Sequence, residues 1–214
     1  STMMKILAGL IEYEDGWVDQ NPKISYKPQH IDVDIDCSVQ LWLDSEIGAR
    51  WRSGEFNVNV IKALGVDKLL PKRVKKLSGG ERQAVSIAIC LGRDADLYLL
   101  DEPSAHLDAS ARMEAAKAIR RTMESNGKSA FVIDHDVYFI DILSDSLLVF
   151  DGVGGTHGIA KGPFPLREGM NQFLENVNIT FRRDHDSKRP RINKPDSRKD
   201  REQQSSGDYY SFDS

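Results

Sequence analysis

The chain has 214 residues, of which 40% are hydrophobic, and a formal net charge of −4 at pH 7. This length allows one sizeable domain with its own core, and the acidic balance argues against a generally basic coat for nucleic acid while it leaves local basic patches open. No apolar run reaches the ~20 residues that cross a bilayer, and no secretory signal is visible. Cys37 and Cys90 are unclustered and form neither a disulfide framework nor an iron–sulfur site. The apolar run around Cys90 predicts a buried free thiol, whereas the state of Cys37 is open.

The first predicted elements are a helix, a strand and a helical region. The first ten residues have the pattern of an amphipathic helix that begins near Ser1. A short strand is predicted at Lys23–Tyr26, before Pro28, and Gln29 follows it. A lone glutamine after a strand is usually a solvated loop residue. Residues 38–74 then show two helical patterns, broken near Gly54 and at Pro71.

A short run, Leu77–Glu81, leads into a helix that is predicted after Gly80 and runs through Arg82 to Gly92. In one interpretation Ser78 is only the N-cap of that helix. In the other, the helix N-terminus is an anion site, where Gly79 and Gly80 allow the backbone to approach a phosphate and Ser78 adds a hydroxyl.

Two carboxylates follow the next predicted strand. Leu97–Leu100 is almost wholly apolar, as is typical of a central parallel strand that is covered on both faces. Asp101 and Glu102 come directly after it, at the strand end where open α/β sheets bind ligands. Such a pair can hold a magnesium ion and polarise a water molecule, or it can be a solvated strand end.

Further strands and helices complete an α/β pattern. Ser104–Asp108 leads into a helix predicted at Ala109–Ser125, which Gly127 ends. A buried strand at Ala130–Ile133 is followed by His135, and another strand is predicted at Leu147–Phe150. We expect all four predicted strands to share one mostly parallel sheet.

The composition changes after Gly152. Glycines and prolines continue to Pro165, and a short helix is predicted at Arg167–Asn176, before a strand-like run at Ile179–Phe181. Residues 182–202 contain nine Lys or Arg and five Asp or Glu, a local excess of +4. Composition alone indicates a solvated, partly disordered tail.

Leu77–Glu81 resembles the signature loop of the ATP-binding-cassette (ABC) ATPases, and Tyr98–Pro103 resembles their Walker B strand. Either motif alone is weak, but their order and spacing favour this family. The resemblance implies a P-loop NTPase-like core with a mostly parallel sheet, a helical subdomain at about 38–80 that carries the signature loop, and a C-terminal hinge tail. It also implies ATP and Mg²⁺ as cofactors.

The resemblance implies a role for each candidate residue. Glu102 would be the general base, Asp101 would hold Mg²⁺, and His135 would sense the terminal phosphate. Gln29 would reach toward both Mg²⁺ and the attacking water. In this family the signature loop binds ATP that the opposing cassette holds. Ser78, Gly79 and Gly80 would bind that ATP, and Asp108 would contact the partner cassette. Thr2 would bind the nucleotide of this cassette, and Ser1 would bind both that nucleotide and Mg²⁺.

The start of the chain resembles the helix that follows the phosphate loop in these ATPases. If so, the chain begins inside that loop, without the glycines and lysine that would precede Ser1; otherwise Ser1 only caps a helix. We expect a chain without the loop to hydrolyse ATP poorly, because the loop positions the phosphates and neutralises their charge.

Four runs in the tail resemble subfamily E of the ABC proteins, the ribosome-recycling ATPases also called the RNase L inhibitor family. These runs are Gly158–Pro163, Leu166–Asn171, Ile179–Asp184 and Arg189–Lys194. The resemblance implies the second cassette at residues 1–152 and a hinge at 153–214. It further implies a cytoplasmic factor, without membrane contact, that splits ribosomes into subunits. The implied partners are the first cassette of the full-length protein, the small ribosomal subunit with its rRNA, and translation termination and initiation factors.

Two rival interpretations remain open. The chain could be the nucleotide-binding subunit of an ABC transporter, because many such cassettes are separate from their membrane subunits, and only the tail discriminates against this. It could also be a non-catalytic fragment. Nucleotide-binding assays on the chain separate the second alternative from an active enzyme.

Overall fold

The computed structural model describes residues 2–17, 21–31, 35–153, 157–183 and 190–211. The chain divides into two compact units, Ser1–Leu143 and Ser144–Ser214. The predicted boundary at 152/153 and the predicted helical subdomain at 38–80 stay predictions. None of the described helices is both long and apolar enough to span a membrane.

The first unit contains six α-helices and three strands among its described residues. In chain order they are α1 (Thr2–Leu7), β1 (Ile24–Lys27), α2 (Val39–Ile47), α3 (Gly54–Phe56), α4 (Gly79–Gly92), β2 (Leu97–Asp101), α5 (Ala109–Asn126), β3 (Ser129–Ile133) and α6 (Val137–Leu143). Tighter or wider helical turns lie between α2 and α4, at Gly48–Arg52, Asn57–Lys62, Val66–Leu69 and Val74–Lys76.

The sheet of the first unit is parallel, with the strand order β1-β2-β3. β2 is the central strand, and its last four residues are buried. A parallel strand covered by helices on both faces needs apolar side chains in both directions, and this explains the continuous apolar run. The α/β class is confirmed, as are the strands predicted near residues 23–26, 97–100 and 130–133.

Local capping chemistry determines the ends of the two long helices. α4 begins at Gly79 because Ser78 is its N-cap and forms a reciprocal capping box with Glu81. Asp108 caps α5 by accepting a hydrogen bond from the Ala111 N–H (2.9 Å). α5 ends at Gly127, whose φ of +60° is left-handed and favours glycine.

The core of the first unit is apolar. α4 is buried from Gln83 to Gly92, and its apolar residues join β2, the inner face of α5 and the helical turns between α2 and α4 in one cluster. Burial of this continuous apolar surface is the main stabilising term of the unit. Cys90 is a buried free thiol in this core, as predicted, and Cys37 is free and partly buried.

The second unit begins with a hairpin that corrects one prediction. Leu147–Phe150 forms part of β4 (Ser146–Val153), but β4 pairs antiparallel with β5 (His157–Pro165) and not with the parallel sheet. Only three residues connect the two strands, and so short a connection allows only antiparallel pairing. The glycine- and proline-containing stretch is therefore a strand, which sequence analysis did not predict.

The rest of the second unit combines helices with a small sheet. Its further elements are α7 (Leu166–Asn176), β6 (Phe181–Arg183), β7 (Pro190–Ile192), α8 (Arg198–Ser206) and β8 (Tyr210–Ser211). The sheet has the order β7-β6-β8. The predicted helix at 167–176 is confirmed as α7, and the predicted strand-like run begins two residues later, at Phe181.

Candidate nucleotide-binding and catalytic site

The candidate residues of the strand ends share one edge of the parallel sheet. Lys27 pairs with Leu100, and Asp101 pairs with Ile133, so all three strands finish at the same level. Glu102, Gln29 and His135 follow these ends within two residues. The parallel register therefore brings together segments that lie far apart in the chain, such as Lys27 and Asp101, which are 74 residues apart.

Asp101 has the environment of a metal-binding carboxylate. The residue is 0% exposed. One oxygen, Oδ2, lies 3.5 Å from the Tyr26 hydroxyl, and the other, Oδ1, is buried with no hydrogen-bond partner among the described residues. A buried, unsatisfied carboxylate oxygen is costly unless a ligand completes it. Oxygen ligands of this kind suit Mg²⁺, so the residues present fit this cofactor.

A lysine is buried beside this carboxylate. Lys27 is 2% exposed, and its ammonium donates to the backbone oxygens of Asp101 (2.8 Å) and Pro28 (3.0 Å). Burial lowers the pKa of Lys27 to about 8, against the opposing effect of the nearby thiol and carboxylates. Burial and the Asp101 charge together raise the pKa of Tyr26. Lys27 thus links the end of β2 to the segment before Gln29.

Glu102 has a constrained backbone and a side chain that faces solvent and histidine. Its φ of +47° is left-handed, which is uncommon for a residue other than glycine. Its N–H donates to the Ile133 oxygen (2.7 Å), and its own oxygen accepts from the Gln83 amide (2.6 Å). Its Oε1 lies 3.1 Å from His135 Nε2, and 82% of the histidine side chain is exposed. A carboxylate and an imidazole thus meet at an accessible position.

The loop that carries His135 is anchored to the loop after Glu102. Asp134 accepts hydrogen bonds from the Ser104 N–H (3.0 Å) and from the Ser104 hydroxyl (2.7 Å). Asp136 forms an ion pair with Arg112 (2.6 Å). These residues line an open cleft of about 330 Å³ together with Glu102 and His135. The cleft can admit a polar ligand to the carboxylate and the histidine.

The tip of α4 combines a cap with available donors. Ser78 Oγ accepts a hydrogen bond from the Glu81 N–H (3.3 Å), and the Ser78 N–H donates a hydrogen bond to Glu81 Oε2 (3.0 Å). Lys72 lies 2.7 Å from Glu81 and lowers the pKa of that carboxyl through a hydrogen bond. Since the hydroxyl serves as an acceptor in the cap, its proton is available to an anion. Ser78 can therefore cap the helix and bind a phosphate.

The two glycines at this tip also permit a close contact within the chain. A Cβ on Gly80 would lie 2.8 Å from the backbone oxygen of His106, and one on Gly79 would lie 3.2 Å from the His106 ring. His106 itself has a φ of +63°. The glycines therefore let the loop after Glu102 pack against α4, a requirement additional to the predicted approach of a phosphate.

Two further predicted residues, Thr2 and Asp108, lie away from the strand ends. Thr2 begins α1 and is exposed. Ser1 lies outside the described residues. Asp108 is the N-cap of α5, and its predicted contact with a partner cassette stays a prediction.

Sequence analysis missed three residues that support the site: Lys27, Gln83 and Asp134. The alternating burial of β1 places Lys27 inward, whereas residue polarity would place Ile24 and Tyr26 inward, so the sequence carried no signal for the burial of this lysine. Asp134 precedes the histidine and could have been noticed for that reason. Gln83 carried no comparable signal, because its partner is a backbone oxygen 19 residues away.

Known proteins match the chain over its whole length. A family model described as "ABC transporter" matches residues 1–105. "Translation initiation factor RLI1" of Saccharomyces cerevisiae is 41% identical over 213 residues, which cover 100% of this chain and 35% of the yeast protein. "ABC transporter E family member 3" of Arabidopsis thaliana is 38% identical over 144 residues, which cover 64% of this chain and 80% of the plant protein.

A solved structure agrees with these relatives. An archaeal ribosome recycling factor, aABCE1, in complex with the ribosomal stalk protein aP1, superposes with a TM-score of 0.93 at 46% identity, and the match covers 99% of this chain and 41% of that chain. The chain thus spans little more than a third of the yeast relative and about two fifths of the archaeal one. With the plant relative matched over four fifths of its length, the chain belongs to the E family of ABC-type ATPases, the RNase L inhibitor family.

Proposed function

We propose that this chain is the second ATP-binding cassette, with the C-terminal hinge, of a cytoplasmic ATPase that splits ribosomes into subunits and makes no membrane contact. The observation that carries the proposal is the strand-end arrangement of Asp101, Glu102 and His135 in a chain of this family. A buried carboxylate with one oxygen that lacks a partner among the described residues, and an accessible carboxylate–imidazole pair, are groups that metal-assisted phosphoanhydride hydrolysis uses.

The residues divide the work of hydrolysis. Asp101, with Ser1 and Gln29, would hold Mg²⁺, which when bound neutralises charge on the phosphates of ATP. Glu102 accepts a proton from the attacking water or orients it. His135 donates a hydrogen bond to the terminal phosphate. Ser78 and the α4 N–H groups bind the phosphate of ATP held by the first cassette, so ATP joins the two cassettes.

The proposed partners follow from the named relatives. The yeast relative is named as a translation initiation factor, and the archaeal relative is named as a ribosome recycling factor that binds a stalk protein. We assign to this protein the small ribosomal subunit and its rRNA, translation termination and initiation factors, and the first cassette as partners. The excess of +4 over residues 182–202 supports contact with RNA or with an acidic surface.

A transporter subunit is the weaker candidate. The family model described as "ABC transporter" matches residues 1–105, a range that contains the ATPase motifs. These motifs are therefore shared with transporter cassettes and do not distinguish a transporter subunit from a ribosome-splitting ATPase. The yeast and archaeal relatives, however, match the second unit as well as the first. A transporter cassette would require a membrane subunit, and co-purification of one with the full-length protein would support that alternative.

The experiment that tests the proposal compares Glu102→Gln and Asp101→Asn in the full-length protein. Glu102→Gln keeps the shape but removes the charge that activates water, so ATP turnover should fall at least about 100-fold while ATP binding survives. The factor should then stay closed on a ribosomal subunit. Asp101→Asn should instead weaken the Mg²⁺-dependent part of nucleotide binding. The matched control is Glu124→Gln, at an exposed carboxylate on α5 that pairs only with Arg120 among the described residues.

Ser78→Arg tests the head-to-tail arrangement of the cassettes. A bulky cation at the tip of α4 should block closure over ATP held by the first cassette and leave nucleotide binding at the site of Asp101 intact. Site-resolved nucleotide occupancy in the full-length protein is the measurement. If Ser78→Arg empties the site of Asp101 and the other site closes normally, the arrangement is wrong.

A further inference from the structure

Gln83 connects α4 to the backbone of the proposed general base. It lies in the first half of α4, and its residue is only 2% exposed. Its side-chain Nε2 donates to the backbone oxygen of Glu102 at 2.6 Å. If the side chain at this position only filled space, an aliphatic residue would serve better, since burial of a polar group without a partner is costly. The hydrogen bond is therefore the reason for a glutamine at this position.

The residue that accepts this bond is in a strained conformation. Glu102 has a φ of +47°, and such left-handed geometry persists in a non-glycine residue only where its surroundings hold it. Among the described residues, its backbone is held by three bonds: its N–H to Ile133, and its oxygen from Gln83 and, more weakly, from the Ala105 N–H (3.3 Å). The Gln83 bond is the shortest and the one made by a side chain. Its loss leaves the Glu102 oxygen with the single turn bond.

The same helix also contacts the loop after Glu102 at its tip. The close approach of Gly80 to the His106 oxygen fixes the start of α4 against this loop. From Gln83 to Gly92 the helix is buried, and close packing makes it a rigid element. Gln83 is thus the side chain that joins this rigid element to the backbone of Glu102.

We propose that Gln83 is a positioning residue, which holds the Glu102 backbone in its left-handed conformation and so makes the aim of the general base depend on the position of α4. This inference rests on the proposed function, in which the tip of α4 binds ATP of the first cassette. Closure on that ATP then adjusts the carboxylate of the second site through one hydrogen bond. The hydroxyl of Ser78 and the amide of Gln83 are the two ends of this connection.

The first test is Gln83→Met, which keeps the length of the side chain and removes the donor. In the full-length protein the kcat for ATP should fall about 10- to 100-fold, because a small misplacement of a catalytic group has effects of this size, while the KM for ATP changes less than about twofold. Gln83→Glu, which places a carboxylate against the same oxygen, should be worse than Gln83→Met. The matched control is Ser86→Ala on the same buried helix, since its hydroxyl has no partner among the described residues.

A double variant separates positioning from general damage. If Gln83 acts through Glu102, then Gln83→Met should add less than about a twofold loss in the Glu102→Gln background, since groups that act as a unit are not additive. A full additional loss in that background would show a merely structural role and overturn the inference. An unchanged kcat in Gln83→Met, with Glu102→Gln inactive, would also overturn the inference and leave the proposed function standing. The inference and the proposed function would fail together only if the wild-type protein itself did not hydrolyse ATP.

Hydrogen exchange on this chain gives a readout that does not depend on activity. Without the Gln83 donor, the amides of Glu102 and Ala105 should exchange at least about tenfold faster, while amides in the middle of α4 keep their protection. If Gln83→Met fails to fold, Gln83→Asn replaces it, because the shorter amide retains polarity but cannot reach the oxygen. Unchanged exchange at Glu102 and Ala105 in a folded variant would contradict the inference.

Discussion

The two units of the molecule are stabilised by different chemistry. The first unit has a continuous apolar core, and the buried polar groups at its strand ends include Lys27 and Asp101. The second unit buries a smaller apolar set, in which Phe181 and Tyr210 stack with ring centroids 5.3 Å apart. Beside this stack lies a hydrogen-bonded polar network that consists of Thr180, Asn193, Asp200 and Gln203.

Because of this difference, we expect substitutions to reduce the stability of the two units by different mechanisms. A small unit cannot bury enough apolar surface, so directional bonds add to its stability. An apolar core loses stability in proportion to the volume removed. A polar network loses more than one bond when one member is replaced, because the remaining partners stay buried and unsatisfied. All three tryptophans, at positions 17, 42 and 51, lie in the first unit, so their fluorescence reports its unfolding alone.

The largest effect is expected from Leu99→Ala. Leu99 is fully buried in the central strand, and the cavity left there should lower the free energy of unfolding of the first unit by about 3 to 4 kcal/mol. Urea denaturation followed by tryptophan fluorescence measures this loss. Amide exchange at Phe181, whose N–H bonds the Tyr209 oxygen, should stay unchanged. Equal destabilisation of both units would show that they do not unfold separately.

The next effect is expected from Asn193→Leu in the polar network. The Asn193 amide donates to Thr180 and Gln203 and accepts from Arg182, so leucine leaves several groups without partners. The second unit should lose about 3 kcal/mol, seen as faster exchange at the Phe181 amide without a shift in the tryptophan transition. Ser205→Ala, at an exposed hydroxyl, is the control. A loss below about 0.5 kcal/mol would mean that the network does not stabilise the unit.

A smaller effect concerns the buried charge of the first unit. The pKa of Lys27 is lowered to about 8, so between pH 8 and its ordinary value the unfolded chain binds more protons than the folded chain. Stability contributed by this group therefore rises with pH, by about 2 kcal/mol from pH 8 to pH 10. The measurement is the difference in unfolding free energy between wild type and Lys27→Met across this range. A difference that is constant with pH would refute the lowered pKa.

The smallest effects are expected from two matched caps, one in each unit. Ser78 and Ser197 each accept a hydrogen bond of 3.3 Å from the N–H three residues later. Ser78→Ala and Ser197→Ala should each cost about 1 kcal/mol in their own unit, because capping is local and does not depend on the type of core. A cost that differs more than twofold between the units would mean that the surrounding core controls the cap.

Local patterns predicted much of the first unit. The apolar run of β2 and Gly127 at the end of α5 are features of neighbouring residues, so they can be interpreted without the fold. The Asp108 cap is equally local, but sequence analysis assigned this residue only a contact with a partner cassette. The motif order predicted that Asp101, Glu102 and His135 belong to one site, and the structure brings them to one sheet edge.

The partner of β4 could not be predicted in this way. Its apolar run fits a strand in the parallel sheet as well as a strand in a hairpin. The choice depended on pairing with β5, a stretch whose glycines and prolines have low strand propensity. Pairing energy from the neighbouring strand outweighed that propensity, so the local signal was misleading.

By itself, the sequence determined the α/β class, the helix caps and the chemistry available at the strand ends, because these depend on residue type and short spacing. Only the tertiary structure decided that Lys27 lies buried under Asp101, that Gln83 holds the backbone of Glu102, and that β4 joins a hairpin. Each of these joins groups from separate elements. Their energies arise from burial and hydrogen bonding across the fold, which residue patterns along the chain do not encode.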